Sequence, residues 1–180
     1  MSLSQKQYTS KDYWNLPDGQ RAELINGQIY DMAPPNRLHQ ELVAQFTKII
    51  GNHIDLYHGS CKVYPAPFAV NLDADDKNWV EPDISVICNP DKLTDRGCSG
   101  APDLIIEILS PSSRKMDYIT KNALYSDAGV KEYWIVDPQK ETTMVYSFEE
   151  DAAPTIYPFD TPAPFGLLTG LVVTVSKLLR

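Results

Sequence analysis

Apolar residues recur along this chain in two rhythms. In residues 36–57, Leu38, Leu42, Val43, Phe46, Ile49, Ile50 and Ile54 follow one another at steps of three and four, which predicts an amphipathic helix with one face on a core. Elsewhere short apolar runs of strand character dominate, the strongest at 82–87, 103–109 and 132–137, with further strands expected at 61–65, 67–72, 142–148 and 171–175. A second helical segment lies between the runs at 103–109 and 132–137. Ser110, Ser112 and Ser113 offer it N-caps, and Gly129 supplies its stop after about Ala128.

Turn chemistry fixes the N-terminal part. Thr9-Ser10-Lys11-Asp12 has capping-box spacing and predicts a short helix that ends before Pro17-Asp18-Gly19. Asn26-Gly27 between the runs 23–25 and 28–30 predicts a type I′ hairpin, because both turn positions need positive φ. Pro154, Pro158, Pro162 and Pro164 mark their segment as mostly loop. Helix, several strands, helix, strand is an α/β order with a mixed sheet, expected as a single domain over residues 1–180.

Against this pattern Glu107 stands out, with apolar neighbours on both sides. An ionised carboxylate leaves water only if paired or bound to a metal. Strand alternation puts Glu107 on the face of Asp103, Ile105 and Leu109, opposite that of Leu104, Ile106 and Ile108. Asp83 opens a neighbouring run, and if the two strands pair, its carboxylate and that of Glu107 can converge. Two hard oxygen ligands on strands suit Mg²⁺, or Mn²⁺, better than a soft metal.

The following helix offers partners. Asp117, Lys121 and Tyr125 lie four residues apart and share one face, so Lys121 could orient a water or meet developing negative charge. An exposed Asp-Lys pair explains the same spacing equally well. Arg114 and Lys115 oppose the helix dipole in the first turn and suit a bound phosphate. On the first long helix, His39 falls at the edge of the apolar stripe while Glu41 lines up with Gln45 and Lys48 on the wet side, so His39 is expected to face the sheet.

Composition narrows the class. There are 24 acidic and 16 basic residues in 180, and the net charge of −8 argues against a simple nucleic-acid binder. Part of that excess is local, in Asp73, Asp75 and Asp76 and in Glu149, Glu150 and Asp151, which read as solvated loops. The longest apolar runs are too short to span a bilayer, and the polar start is no signal peptide; a soluble cytoplasmic protein is expected. Cys61, Cys88 and Cys98 show no CxxC pairing and are expected to be reduced thiols. There is no P-loop to support a phosphotransferase or nucleotide hydrolase.

Taken together, Glu-Leu-Ile-Asn-Gly at 23–27, Glu-Pro-Asp-Ile at 81–84, Gly-Ala-Pro-Asp-Leu-Ile-Ile-Glu-Ile-Leu-Ser-Pro-Ser at 100–112, Asp117 with Lys121 and Tyr125, and Ala-Gly-Val-Lys-Glu-Tyr-Trp-Ile-Val-Asp-Pro at 128–138 resemble the Uma-two family of the restriction-endonuclease-like PD-(D/E)XK superfamily. The resemblance implies a restriction-endonuclease-like mixed sheet flanked by helices, with Asp83 as the PD aspartate and Glu107 as the strand acid, 107 − 83 = 24 positions later. The superfamily lysine two residues after that acid is replaced by Leu109, and the resemblance moves its role to Lys121. Pro102-Asp103 also reads PD, but it shares a strand with Glu107. Glu23 is the candidate for the superfamily's additional acid, with a strand-end salt bridge as its bland alternative. The implied activity is a Mg²⁺-dependent endonuclease acting on DNA, with Asp83 and Glu107 holding the metal, Lys121 assisting, and Glu23, His39 and Asp117 in support. A homodimer would provide paired scission. The alternative is a non-catalytic binding or assembly protein that retains the fold.

Overall fold

The computed structural model describes residues 6–111, 113–150 and 152–179. In chain order they form α1 (Ser10–Trp14), β1 (Ala22–Ile25), β2 (Gln28–Asp31), α2 (Arg37–Leu56), β3 (Lys62–Pro65), β4 (Val70–Asn71), β5 (Trp79–Val80), β6 (Ile84–Ile87), β7 (Leu93–Thr94), β8 (Gly97–Ser99) and β9 (Leu104–Ile108). A π-helical stretch, Met116–Lys121, then runs directly into α3 (Asn122–Ala128), followed by β10 (Glu132–Asp137), β11 (Thr142–Ser147), β12 (Thr155–Pro158), β13 (Ala163–Pro164), β14 (Val172–Val173) and α4 (Val175–Leu178).

The strands build two six-stranded sheets, β2-β1-β5-β4-β8-β7 and β12-β11-β10-β9-β6-β3, and a small β13-β14 pair, so the expected mixed sheet is divided in two. In the second sheet β9 and β10 are parallel and the other pairs antiparallel. A parallel pair needs a crossover, which the segment from Met116 to Ala128 provides. Gly129 ends it at φ +89°, a left-handed turn that favours glycine. The Asn26-Gly27 turn has φ values of +50° and +73°, as a type I′ hairpin requires. At α1, Thr9 N donates to Asp12 Oδ2 at 2.9 Å, the expected cap.

Core packing follows strand alternation. The α2 stripe of Leu42, Val43, Phe46, Ile50 and Ile54 covers Leu104, Ile106, Ile108, Trp134 and Val136. On the opposite face Ile105, Leu109, Tyr133 and Ile135 pack with Tyr125 of α3 and with Ile25, Val70 and Val80 of the other sheet. Glu107 has the parity of Ile105, so the fold delivers it to the α3 side, between the two sheets.

Some expectations shift. The strand expected at 67–72 is confined to Val70–Asn71, since Pro67 has no N–H for a ladder. The proline-rich loop contains β12, an edge strand where Pro158 is tolerated. Ser112 and Asp151, given an N-cap and a loop role above, lie outside the described residues, as does the polar start up to Gln5. The expectation of three reduced thiols is corrected: the antiparallel register that pairs Lys62 with Ile87 brings Cys61 and Cys88 together one step further on, and they form a disulfide. Cys98 is free and buried, and burial pushes its thiol up to about 11. Among the described residues no helix is long and apolar enough to cross a membrane.

One ion pair, between a half-buried arginine and a buried acid, ties the crossover to the sheet. Arg114 donates through both terminal nitrogens to the fully buried Asp137, at 2.7 Å each, and also to Gln139. Burial would raise the Asp137 carboxyl, but Arg114 and the Lys140 and Gln139 amides outweigh it and hold its pKa below the ordinary value. A depressed carboxyl stabilises the fold above its unfolded pKa, and that contribution is lost as pH falls through the folded value. Asp137→Asn is therefore expected to cost about 2 kcal/mol near neutrality and to flatten the acid limb of stability below pH ~4, as measured by urea unfolding across pH.

Candidate active site

The two acids singled out in sequence lie across one antiparallel junction. Strand β6 pairs with β9 in the register Ile84 to Ile106, and one step further places Asp83 opposite Glu107. Backbone and side chains interlock there. Asp83 N donates to Glu107 Oε2 at 3.3 Å, and Ile108 N donates to Asp83 Oδ2 at 2.8 Å. His39, from the first turn of α2, brings its Nε2 within 3.1 Å of the same Oδ2. That helix is capped by Asn36, whose side chain accepts from His39 N. Burial opposes a charged imidazole, yet the Asp83 carboxylate outweighs it and raises the His39 pKa.

Glu107 is held from the crossover. Its Oε1 accepts from Lys121 Nζ at 2.9 Å and from the Tyr125 hydroxyl at 2.7 Å. Lys121 Nζ also lies 2.9 Å from Glu23 Oε1 and 3.6 Å from Asp117 Oδ1. All four side chains are buried, with Lys121 6 % exposed. Three carboxylates thus face one ammonium, a formal charge of −3 + 1 = −2 if all were ionised. Burial and the neighbouring acids raise the pKa of Glu107 well above its ordinary value, although Lys121 opposes them, and Asp117 is raised for the same leading reason. For Lys121, burial works against the cation but the carboxylates prevail, and its pKa is raised well above the ordinary value.

The remaining candidates divide. Glu23 comes from β1 in the other sheet, accepts from Glu81 N at 2.9 Å and meets Lys121, so its salt bridge is part of the cluster rather than a bland strand end. Asp117 and Lys121 are buried and adjacent, which replaces the exposed-pair reading. Glu41 pairs with Arg37 on the wet side, as its helical position implied. Arg114 finds its anion in Asp137, which supplies the compensation a phosphate was expected to give, and Lys115 is exposed. Asp103 accepts from Cys88 N and pairs with Lys131, a structural role for the second PD. Sequence reasoning put Tyr125 on the Lys121 face but missed its hydroxyl bond to Glu107. The i, i+4 spacing from Lys121 was the available signal.

Among the described residues, no group of three or more His, Cys, Asp or Glu side chains is placed to hold a metal ion. The donors at the junction are two hard carboxylates. Both hydrogen bonds to Asp83 fall on Oδ2, and the bond to Glu107 Oε2 is long, which leaves Asp83 Oδ1 and Glu107 Oε2 as the less engaged oxygens.

Comparison with known proteins shows the fold and the family. A crystal structure described as a "putative nuclease belonging to DUF820" from Anabaena variabilis has the same fold, with a TM-score of 0.76, 22 % identity, and coverage of 94 % of this chain and 96 % of that one. The "Uncharacterized protein slr1290" of Synechocystis sp. is 25 % identical over 150 residues, covering 83 % of this chain and 76 % of its own length. The Uma2 family model, described as "Putative restriction endonuclease", matches residues 10–176, and this chain therefore belongs to the Uma2 family.

Proposed function

We propose that the protein is a divalent-metal-dependent endonuclease that hydrolyses DNA phosphodiester bonds. The observation that carries this reading is the Asp83-Glu107 junction with the buried Lys121 ammonium against it. A buried cluster with more carboxylates than cations favours an added positive charge. Mg²⁺, which keeps several waters and needs only one or two carboxylates, suits a two-acid site. Asp83 and Glu107 would hold Mg²⁺ or Mn²⁺, which when bound would supply Lewis acidity toward a phosphate oxygen and an acidified water.

The chain's own residues do the rest. Tyr125 and Lys121 together fix the Glu107 carboxylate by its Oε1, leaving Oε2 toward the Asp83 backbone. His39 and the Ile108 amide fix Asp83 through Oδ2. Glu23 and Asp117 keep Lys121 cationic and within reach of Glu107, so that it can meet negative charge developing on the phosphate. Cutting both strands of a duplex would take two such sites, which a homodimer provides. One observation favours the alternative, a non-catalytic scaffold: the Lys121 ammonium already has carboxylate partners, and among the described residues no third protein ligand stands ready.

Two outcomes are expected. Wild type should bind Mn²⁺ at or below millimolar levels by calorimetry and cut plasmid DNA with Mg²⁺ or Mn²⁺, while Asp83→Ala should lose cleavage by at least ~100-fold together with Mn²⁺ binding. Cleavage that survives Asp83→Ala would remove this site, and an absence of both binding and cleavage in wild type would leave the scaffold. Separately, Lys121→Met leaves three buried acids with no ammonium and should cost about 3–5 kcal/mol near neutrality. Glu107 and Asp117, already raised by burial, would lose the one cation that opposes the rise, so the variant should regain stability as pH is lowered toward 5, as followed by urea unfolding.

A further inference from the structure

A second feature lies beside the acids and is unused by the chemistry above. Between α1 and the hairpin is an open cavity of about 240 Å³ whose walls include Tyr13, Trp14, Pro17, Asp18, Gln20 and Glu81. It shares a wall with the active site. The Tyr13 hydroxyl donates to Glu81 Oε1 at 3.3 Å, Arg21 donates to Glu81 Oε2 through Nε and a terminal nitrogen, and Glu81 N donates to Glu23, which meets Lys121. Glu81 is also two residues before Asp83.

Trp14 is the unusual wall. The chain has three tryptophans; Trp134 and Trp79 are buried, whereas Trp14 is 39 % exposed. Its ring is braced edge to face by Tyr13 at 5.1 Å and Trp79 at 5.0 Å, and the exposed Arg96 lies 5.4 Å from its centroid. A rigid, partly exposed aromatic face beside a guanidinium is the combination that single-stranded nucleic acid uses, stacking a base while a cation meets the backbone. Arg21 is already paired with Glu81, so the exposed Arg96 is the cation that accompanies the Trp14 ring. In a chain of net charge −8, an exposed guanidinium beside an exposed aromatic face is where a nucleic-acid strand would be met. The cavity itself carries Asp18 and Glu81, which repel a phosphate but accept from the exocyclic amino group of a base.

We propose that this cavity receives an unstacked nucleobase of the DNA strand being cut, with Trp14 as its stacking surface and Arg96 beside the adjoining phosphate. The proposal rests on the nuclease reading for its substrate, but it makes a separate claim about where a base is held.

The test is anisotropy of a fluorescein-labelled single-stranded decamer titrated with the full chain without divalent metal, alongside Mn²⁺ calorimetry. Trp14→Ala should weaken binding about tenfold, the loss of one stacked base, and Arg96→Ala should lower the salt slope of log K by about one. Trp14→Phe, which keeps an aromatic ring against Tyr13 and Trp79, should fall between wild type and Trp14→Ala and covers the case in which the alanine variant does not fold. Mn²⁺ affinity should stay within twofold of wild type in all three. DNA binding by wild type with unchanged affinity in the Trp14 variants would overturn the cavity assignment while leaving the nuclease reading intact; wild type that binds no DNA would overturn both. A fall in Mn²⁺ affinity matching the fall in DNA affinity would also overturn it, by showing general disruption of the fold.

Discussion

The structure turns on one buried ammonium. Lys121 is enclosed by Glu23, Asp117 and Glu107, each from a different part of the chain: the hairpin, the crossover and the central strand. Removing four charged groups from water is expensive, and their attractions repay that only when the geometry is good and the remaining oxygens are bonded. Tyr125 meets that condition at Glu107, and the Glu81 amide meets it at Glu23. The contact therefore constrains both sheets at once. Hairpin, crossover and β9 must each be in register for any of these charges to be tolerated.

That constraint explains the local form of the crossover. A regular α-helix would suffice to connect β9 to parallel β10, yet its first part is π-helical over Met116–Lys121, the segment that carries both Asp117 and Lys121. Wider turns of this kind are uncommon and concentrate at functional sites. The Tyr133 hydroxyl donates to the Asp117 carbonyl oxygen at 3.2 Å, so a strand side chain supports the widened turn from below. In turn Tyr133 packs edge to face on Tyr125, which reaches Glu107. Strand, turn and acid are thus linked through two tyrosines.

Much of this was legible in the sequence wherever a single local rule decided the outcome. The α2 stripe, the Asn26-Gly27 hairpin, the Gly129 stop and the position of His39 each follow from periodicity or turn chemistry, and alternation along β9 was enough to separate Glu107 from Ile106 and Ile108. What escaped depends on contacts between segments distant in sequence. Nothing in the spacing of Cys61 and Cys88, 27 residues apart, announces the strand register that joins them. Arg114 was read against the helix dipole alone, while its anion is 23 residues away at the end of β10. The division into two sheets likewise depends on the pairing of two-residue strands such as β4 and β5, too short to show any period. For the site, Glu107 is visible as a charge out of place in an apolar run, whereas Lys121 is marked only by its helical spacing from Asp117 and by the family resemblance. The hydroxyl bond to Glu107 is not, because spacing puts Tyr125 on the Lys121 face without saying which strand residue that face meets.

The net charge is best understood in the same local terms. Asp73 accepts from Asn78 Nδ2, Asp75 accepts from the Lys77 and Asn78 amides, and Asp76 accepts from Ser10 N, so the acidic run is the scaffold of a turn as well as a solvated loop. Asn78 Oδ1 in turn accepts from Asn26 N and ties that turn to the hairpin carrying Glu23. Buried acids at the site are matched by Lys121 or raised in pKa, and Glu81 is matched by Arg21. A sum over the chain counts all these carboxylates alike, but the field met by an approaching anion depends on which of them are compensated where it lands. Near Asp83 the His39 ring nitrogen lies 3.1 Å from Oδ2, while the nearest arginines along the chain are already paired, Arg37 with Glu41 and Arg21 with Glu81. The acids at the junction thus have cationic partners of their own, and the formal charge of −8 overstates the repulsion that an approaching anion would meet there.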